Sequence, residues 1–153
     1  MASKGKRRDS EGQYINSPYA LLKSKAWRSL SGAAIKVWFE LHTRFNGGNN
    51  GRIHLSMNEA AKLLHISKST AQRAFAELEE KGFVVLQTPG SWYGGRAHEW
   101  RLTTKRVNAT KGVQLATNDW RHWQEKAKAD PPENPSPKTM GSNRNPSPAT
   151  GIA

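Results

Sequence analysis

The segment Leu55–Gly82, LSMNEAAKLLHISKSTAQRAFAELEEKG, decides the fold of this chain. It contains two helical patterns separated by a short break at His65–Ile66. Ser56 and Ser67 precede the two patterns, and a serine hydroxyl at that position accepts an amide proton of the first helical turn. Glu59, three residues after Ser56, completes the capping-box pattern. The segment therefore predicts two consecutive helices joined by a tight turn.

Each helix has an apolar face at helical spacing. In the first helix we expect the inward residues to be Ala60, Leu63 and Leu64, and in the second Ala71, Ala74, Phe75 and Leu78. Lys81 and Gly82 mark the end of the second helix. The polar and basic side chains left outside on its first two turns are Lys68, Ser69, Thr70, Gln72 and Arg73. A helix that exposes such a set at its N-terminal end suits contacts with phosphates and base edges.

The sequence from Ile66 to Phe83, ISKSTAQRAFAELEEKGF, resembles a known helix-turn-helix. Bacterial winged-helix DNA-binding proteins commonly carry the pattern I-S-x-S-T-x-x-R-A-x-x-x-L-E-x-x-G at this point. More loosely, residues 14–125 look like small winged-helix proteins of bacterial chromosomes, plasmids and phages, which regulate transcription or start replication. The resemblance implies an α+β fold, in which a three-helix helix-turn-helix core carries a small antiparallel sheet and a wing. To this fold we add extra N- and C-terminal helices and disordered tails.

The charge balance favours a polyanionic partner. The net charge is +12 and the isoelectric point is near 10.3. There is no cysteine, which excludes disulfides and thiolate metal sites. No long apolar segment appears, so we expect no membrane partner and a cytoplasmic, nucleoid-associated protein.

We divide the chain into three parts. Residues 1–13 form a predicted disordered basic arm, which either lies along DNA phosphates or in a minor groove or is a solvated tail. Residues 14–128 form the winged helix-turn-helix domain with a C-terminal helix. Residues 129–153 are rich in proline and serine and are predicted to be disordered. The cations of the arm are Lys4, Lys6, Arg7 and Arg8.

Two helices are expected before the helix-turn-helix. Ser17–Pro18 starts a short one, in which Tyr19, Leu22 and Ala26 share a face, and Ser31–Gly32 starts a longer one. The longer helix has an apolar stripe of Ala34, Val37, Trp38, Leu41 and Phe45. Residues 46–51 are glycine- and asparagine-rich and predict a turn, and residues 52–55 predict a short strand.

A strand, loop and strand directly after the second helix predict the wing. The strands are residues 83–87 and 98–103, and the loop between them offers Ser91, Trp92, Tyr93 and Arg96. Trp92 and Tyr93 either contact DNA or a partner or fold back on the hairpin. Arg96 is a candidate for the electronegative minor groove.

The chain after the wing is basic and then predicts a helix. Residues 104–112 are turn-like, and Lys105 and Arg106 either add phosphate contacts or are simply solvated. Residues 116–129, ATNDWRHWQEKAKA, predict a helix capped by Thr117 or Asn118. Its Trp120 and Trp123 either close over the core, which we favour, or form a dimer contact.

The sequence contains no pattern typical of an enzyme. The histidines show no metal-ligand spacing, and no nucleophile elbow, dinucleotide-binding pattern or Walker lysine is present. The histidines are His42, His54, His65, His98 and His122. We therefore expect no catalysis, no cofactor and no metal.

Our hypothesis is sequence-preferring binding of double-stranded DNA, most simply as a transcription regulator. Gln72 and Arg73 would contact base edges, and Arg96 would reach from the wing. Backbone phosphates would be bound by Lys68, Ser69, Thr70 and the amides capped by Ser56 and Ser67. Alternatives are a replication initiator or partition protein of a plasmid, phage or mobile element, a protein-interaction module without DNA binding, and RNA binding. The sequence leaves homodimerisation, the operator and any effector undecided.

Overall fold

The computed structural model describes residues 12–91, 93–126 and 151. Most of the predicted arm, including its four cations, most of the predicted tail, and Trp92 lie outside these residues. Within the described ranges, no helix has the length and apolar character needed to cross a membrane. The helices are α1 (Tyr19–Leu22), α2 (Lys25–Arg28), α3 (Gly32–Thr43), α4 (Met57–Leu64) and α5 (Lys68–Glu80), followed by a 3₁₀ helix (Asp119–His122). The strands are β1 (Ile53–His54), β2 (Val84–Thr88), β3 (Glu99–Leu102), β4 (Val107–Ala109) and β5 (Gly112–Gln114).

Helix α3 forms as predicted and is the centre of the core. The Ser31 hydroxyl accepts a hydrogen bond from the Ala34 amide at 3.2 Å, which caps the helix. Its buried residues are Ala34, Val37, Trp38, Leu41 and His42. Four residues of the predicted stripe, Ala34, Val37, Trp38 and Leu41, therefore form the packed face, because 3.6 residues per turn bring these positions to one side. The fifth, Phe45, lies beyond the helix end at Thr43 and is only partly buried, and His42 is buried in its place.

The single N-terminal helix that we expected is broken into two turns, α1 and α2. The break comes at Ser24, whose hydroxyl donates to the Leu21 carbonyl at 2.7 Å and accepts from the Trp27 amide at 3.1 Å. This cap starts a second, separate helix, so the expected shared face is wrong. Leu21 and Ala26 are buried, whereas Tyr19 is 79% exposed.

Helices α4 and α5 form the predicted pair, with Ser56 and Ser67 as N-caps. The reciprocal half of the capping box is missing, because the Glu59 carboxylate instead accepts from the Arg44 guanidinium at 2.9 Å. The inward face of α4 also differs, since Leu63 is 50% exposed. The inward face of α5 is confirmed: Ala71, Ala74, Phe75 and Leu78 are all buried.

The sheet fixes α5 against the rest of the domain. Strands β1, β3 and β2 pair antiparallel in that order, with Trp100 of β3 opposite Ile53 on one side and Leu86 on the other. The Trp100 ring stacks on Phe75 of α5 with centroids 4.6 Å apart, and its Nε1 donates to the Leu55 carbonyl at 3.0 Å. A buried aromatic pair thus locks the orientation of α5 about its own axis.

A second hairpin, β4–β5, lies where the sequence predicted only a basic turn. It is held by Asn50, which is 4% exposed. The Asn50 side chain accepts from the Leu102 amide at 2.7 Å and donates to the carbonyls of Leu102, Lys105 and Arg106 at 2.9–3.2 Å. One amide therefore joins the end of β3 to the start of β4, in place of a backbone ladder.

The predicted C-terminal helix is wrong in extent. Within residues 116–126, the part of it that the structure describes, only the four-residue 3₁₀ helix forms, and Trp123 after it is extended. Asn118 has a left-handed backbone (φ 50°) and provides no side-chain cap; its Oδ1 instead accepts from Trp120 Nε1 at 3.1 Å. Trp120 is buried and stacks on Phe83 with centroids 6.5 Å apart. The packing of Trp120 on its own domain is thus confirmed. The chain adopts this packing in place of the longer helix that the sequence predicted.

Gly82 is the point where this C-terminal segment meets α5. Its φ of +77° ends the helix in the left-handed region, as expected for glycine. A Cβ at this position would lie 2.7 Å from the Asp119 carbonyl carbon and 2.8 Å from the Trp120 amide nitrogen. The glycine therefore serves two purposes, a left-handed turn and a close backbone approach.

Candidate nucleic-acid interface

The outer face of α5 presents its polar side chains to solvent. Lys68, Ser69, Gln72 and Arg73 are all exposed, and no acidic residue occurs in the first turn. Arg73 Nε lies 3.4 Å from the Ser69 carbonyl, a long contact that leaves the rest of the guanidinium free of partners among the described residues. These four side chains, which the sequence assigned to base edges and phosphates, thus stand on one accessible surface. Thr70, assigned to the same role, is half-buried.

The N-terminus of α5 is held by a small hydroxyl network. Ser67 Oγ accepts from the Thr70 amide at 3.1 Å and lies 3.0 Å from Ser69 Oγ and 2.7 Å from Thr70 Oγ1. At α4, Ser56 Oγ accepts from the Glu59 amide at 3.1 Å. The two capped amides are therefore already used inside the protein. The side chains of Lys68 and Ser69 and the uncapped first-turn amides remain the candidates for phosphate binding at this surface.

An open cleft of about 540 Å³ lies between the starts of α4 and α5 and the base of the wing. Two predicted site cations, Lys68 on α5 and Arg96 on the wing, line it together with Ser56. No carboxylate is among the lining residues, which are completed by Met57, Asn58, Gly90, Ser91, Gly95, Ala97 and His98. The fold thus brings Ser56 and Arg96, 40 positions apart in sequence, to one cleft. The two cations make this cleft electropositive, which favours the binding of anions.

The wing is a short, closed loop. The Ser91 amide donates to the Arg96 carbonyl at 3.0 Å, and the Arg96 amide donates to the Ser91 carbonyl at 3.2 Å. Tyr93, between them, is 100% exposed, so the alternative that it folds back on the hairpin is wrong. The wing tip therefore projects into solvent beside the cleft.

Residues 46–91 match the model of the MarR family, a family of winged-helix, DNA-binding transcription regulators. The matched segment contains β1, α4, α5 and β2 and ends at the base of the wing. The domain has a winged helix-turn-helix fold, and its matched segment is similar to this family of bacterial regulators. The match covers less than a third of the chain, and α1–α3 and everything after Ser91 lie outside it. No curated protein and no solved structure matches the chain.

Two predicted backbone contacts lie away from the cleft of the winged helix-turn-helix domain. Lys105 is half-buried, its ammonium lies 5.9 Å from the centroid of the Phe45 ring, and burial lowers its pKa. It lines a separate cavity of about 270 Å³ together with Trp38 and Trp120. Arg106 is exposed just before β4. The fold does not bring either residue to the α5 surface, and their contact with DNA stays a prediction.

His98 and Asn58 line the cleft but are not among the site residues predicted from the sequence. Asn58 follows a predicted N-cap by two residues, so its place at the helix start was visible in the pattern. His98 gave no such signal, because its position depends on where the wing turns back. Within the described part of the chain, no three His, Asp or Glu side chains are grouped to hold a metal ion.

Proposed function

We propose that this protein binds double-stranded DNA with sequence preference and regulates transcription. The observation that carries the proposal is the outer face of α5, where Lys68, Gln72 and Arg73 are exposed together. The opposite face of the same helix is buried, and Phe75 is stacked on Trp100 of the sheet. A helix held in one orientation can present the same side chains to a groove each time it binds.

In this arrangement α5 enters the major groove. Arg73 can bind guanine O6 and N7 with two hydrogen bonds, and Gln72 can pair with the N6 and N7 atoms of adenine. Each such pair contributes roughly 1–3 kcal/mol of discrimination against a wrong base. Lys68 and Ser69 at the helix start bind backbone phosphates, which position the helix without reading sequence.

The wing extends the contact along the duplex. Arg96 and Lys68 line opposite parts of one cleft, so a sugar-phosphate strand lying in it meets a cation from the wing and a cation from α5. The long side chain of Arg96 reaches past this sugar-phosphate strand into the adjacent minor groove. The potential of that groove is strongly negative where it is narrow.

The test starts with selection of bound sequences from a random duplex library by the full-length chain. Binding of the selected site and of a scrambled duplex is then measured by fluorescence anisotropy over a range of salt concentrations. Arg73→Ala should lose affinity for the selected site and little for the scrambled duplex. Lys68→Ala should weaken both and reduce the salt slope by about one. Equal effects of the two changes on both duplexes would overturn the division of roles.

A genome-wide footprint distinguishes the biological settings. Occupancy upstream of genes supports transcription regulation, whereas occupancy confined to a replication origin supports the replication or partition alternative. A symmetric footprint would indicate that two copies bind together. Absence of any salt-dependent duplex binding, with a stable protein complex recovered instead, would overturn the proposal in favour of an interaction module.

A further inference from the structure

A side chain replaces a strand partner at the base of the wing. The β2–β3 register shifts between Leu86 and Thr88, just before Pro89. Gly90 lies two residues after the end of β2, and its amide donates to Nδ1 of the His98 ring at 3.0 Å and not to a strand carbonyl. The imidazole Nδ1 thereby accepts the hydrogen bond that a backbone carbonyl would otherwise accept.

This hydrogen bond decides where the ring carries its proton. Because Nδ1 accepts, the neutral imidazole has its hydrogen on Nε2. Nε2 has no hydrogen-bond partner within residues 12–91 and 93–126, and the ring lines the cleft that also contains Lys68 and Arg96. The His98 ring therefore adds an uncharged N–H donor to the two cations among the lining residues of this cleft.

The backbone of His98 is held in place on both sides, and its ring is held by the hydrogen bond from the Gly90 amide. The His98 carbonyl accepts from the Leu55 amide at 3.3 Å, which continues the β1–β3 pairing. On the other side, a Cβ at Gly90 would lie 2.6 Å from the Arg96 carbonyl oxygen and 3.0 Å from the His98 amide nitrogen, so only glycine allows this approach. A donor fixed in this way loses little conformational freedom when it binds an anion.

We propose that His98 is a DNA-backbone contact, and that its Nε2–H donates to a phosphate oxygen of a duplex lying in the cleft between α5 and the wing. This inference rests on the proposed function and adds to it a residue that reads no sequence. Because the donor is neutral, it strengthens binding without releasing a counterion. A lysine or arginine contact at the same place would change the salt dependence, whereas this one does not.

Two substitutions separate the two nitrogens. His98→Asn places an amide near the position of Nδ1, so it keeps an acceptor for Gly90 and removes the Nε2 donor. His98→Gln places an amide near the position of Nε2, so it keeps a donor in the cleft and removes the acceptor. Affinity for the selected and scrambled duplexes is measured over a range of salt concentrations at about pH 8, where an ordinary imidazole is uncharged. Thermal unfolding of each variant reports on the fold.

We expect His98→Asn to bind both duplexes roughly tenfold more weakly, the loss of one hydrogen bond to a charged group, with an unchanged salt slope. His98→Gln should stay within about threefold of the wild type, since it retains a donor. Lys68→Ala serves as the reference that lowers the salt slope. Wild-type affinity of His98→Asn, while Lys68→Ala is weakened, would overturn this inference and leave DNA binding intact.

Equal losses in the asparagine and glutamine variants would also overturn the inference, because they would show that the wing needs an intact histidine for its shape and not for a phosphate contact. Failure of the wild-type chain to bind any duplex would overturn the proposed function and this inference together. The three outcomes are distinguishable in one set of titrations.

Discussion

The carboxylate of Glu77 accepts two hydrogen bonds from Ser31, one from the amide at 3.0 Å and one from the hydroxyl at 2.6 Å. Ser31 caps α3, and Glu77 lies on α5, 46 residues later. Lys81 completes the junction by donating to Glu77 at 2.8 Å and to the Ser29 carbonyl at 2.7 Å. Burial alone would raise the pKa of Glu77, but the hydrogen bonds from Lys81 and Ser31 lower it. The helix proposed to enter DNA is thus tied to the start of the central helix.

Replacing Glu77 with glutamine should weaken this junction. Glu77→Gln should lower the free energy of unfolding by about 1–2 kcal/mol, because it replaces charge-assisted hydrogen bonds with neutral ones. The measurement is urea unfolding at neutral pH. Glu80→Gln on the same helix is the control, since its contact with Lys126 is solvent-exposed and should matter little. Similar losses in the two variants would show that the Ser31 contact does not stabilise the fold.

His42 should make the protein less stable in mild acid. Its Nδ1 donates to the Trp38 carbonyl at 2.8 Å, its Nε2 lies 3.0 Å from Thr104 Oγ1, and burial lowers its pKa from 6.5 to about 4. Between these two values the unfolded chain binds a proton that the folded protein does not. Stability is therefore complete above about pH 6.5 and falls by about 1.4 kcal/mol for each pH unit below it, down to about pH 4.

Urea unfolding at pH 7 and pH 5 checks this dependence, with an expected loss of about 2 kcal/mol from His42. His42→Gln should be less stable at both pH values, but should show a smaller difference between them. A wild type and variant with the same pH dependence would contradict the assignment of this loss to His42.

The two functions of Gly82 should be separable by comparison with Gly95. Gly95 also has a positive φ, of +58°, but a Cβ there would meet nothing within 4 Å. Gly95→Ala should therefore cost only the left-handed conformation, about 1–2 kcal/mol. Gly82→Ala should cost at least about 2 kcal/mol more, because a methyl group must displace the backbone at Asp119 and Trp120. Equal costs in chemical unfolding would mean that this segment does not pack on the end of α5 as described.

Arg96 should contribute to DNA binding through the wing. Arg96→Ala should weaken binding to the selected duplex and reduce the salt slope by about one, since one phosphate or minor-groove contact is lost. Arg121→Ala is the matched control: it removes the same charge from the cavity beside Trp38, away from the cleft. Salt-dependent anisotropy titrations compare the two. A larger loss in Arg121→Ala would place the DNA on a different face of the domain.

Local sequence signals predicted α5 and its surroundings well. The cap at Ser67, the spacing of the buried residues Ala71, Ala74, Phe75 and Leu78, and the end at Gly82 are all marked within the sequence of one helix, so spacing alone is sufficient to predict them. The same holds for α3 after Ser31. The exposed set on α5 followed directly, because the residues that are not buried in an amphipathic helix face outward.

Features that depend on distant partners were not predictable. Glu59 binds Arg44 and not its own helix end, and Asn50 bonds with backbone groups more than 50 residues later. Helical spacing at Trp120 and Trp123 favoured a helix, but stacking of Trp120 on Phe83 and its bond to Asn118 outweighed that local preference. His98 belongs to the same group, since its partner Gly90 lies eight residues earlier, on the other side of the wing. In each case tertiary contacts override a local propensity.

The contact between Asp119 and Gly82 limits how this domain can be reused. A fragment or chimera that transplants only residues 46–91 would leave Glu77 facing no Ser31 and would uncover the ring of Phe83 where Trp120 lies. Expression boundaries, fusions to other proteins and grafts of DNA specificity therefore have to keep the chain from α1 through Trp123. The segment of residues 46–91 cannot be transferred alone to another protein. An exchange of this segment during evolution would have to include both flanking segments.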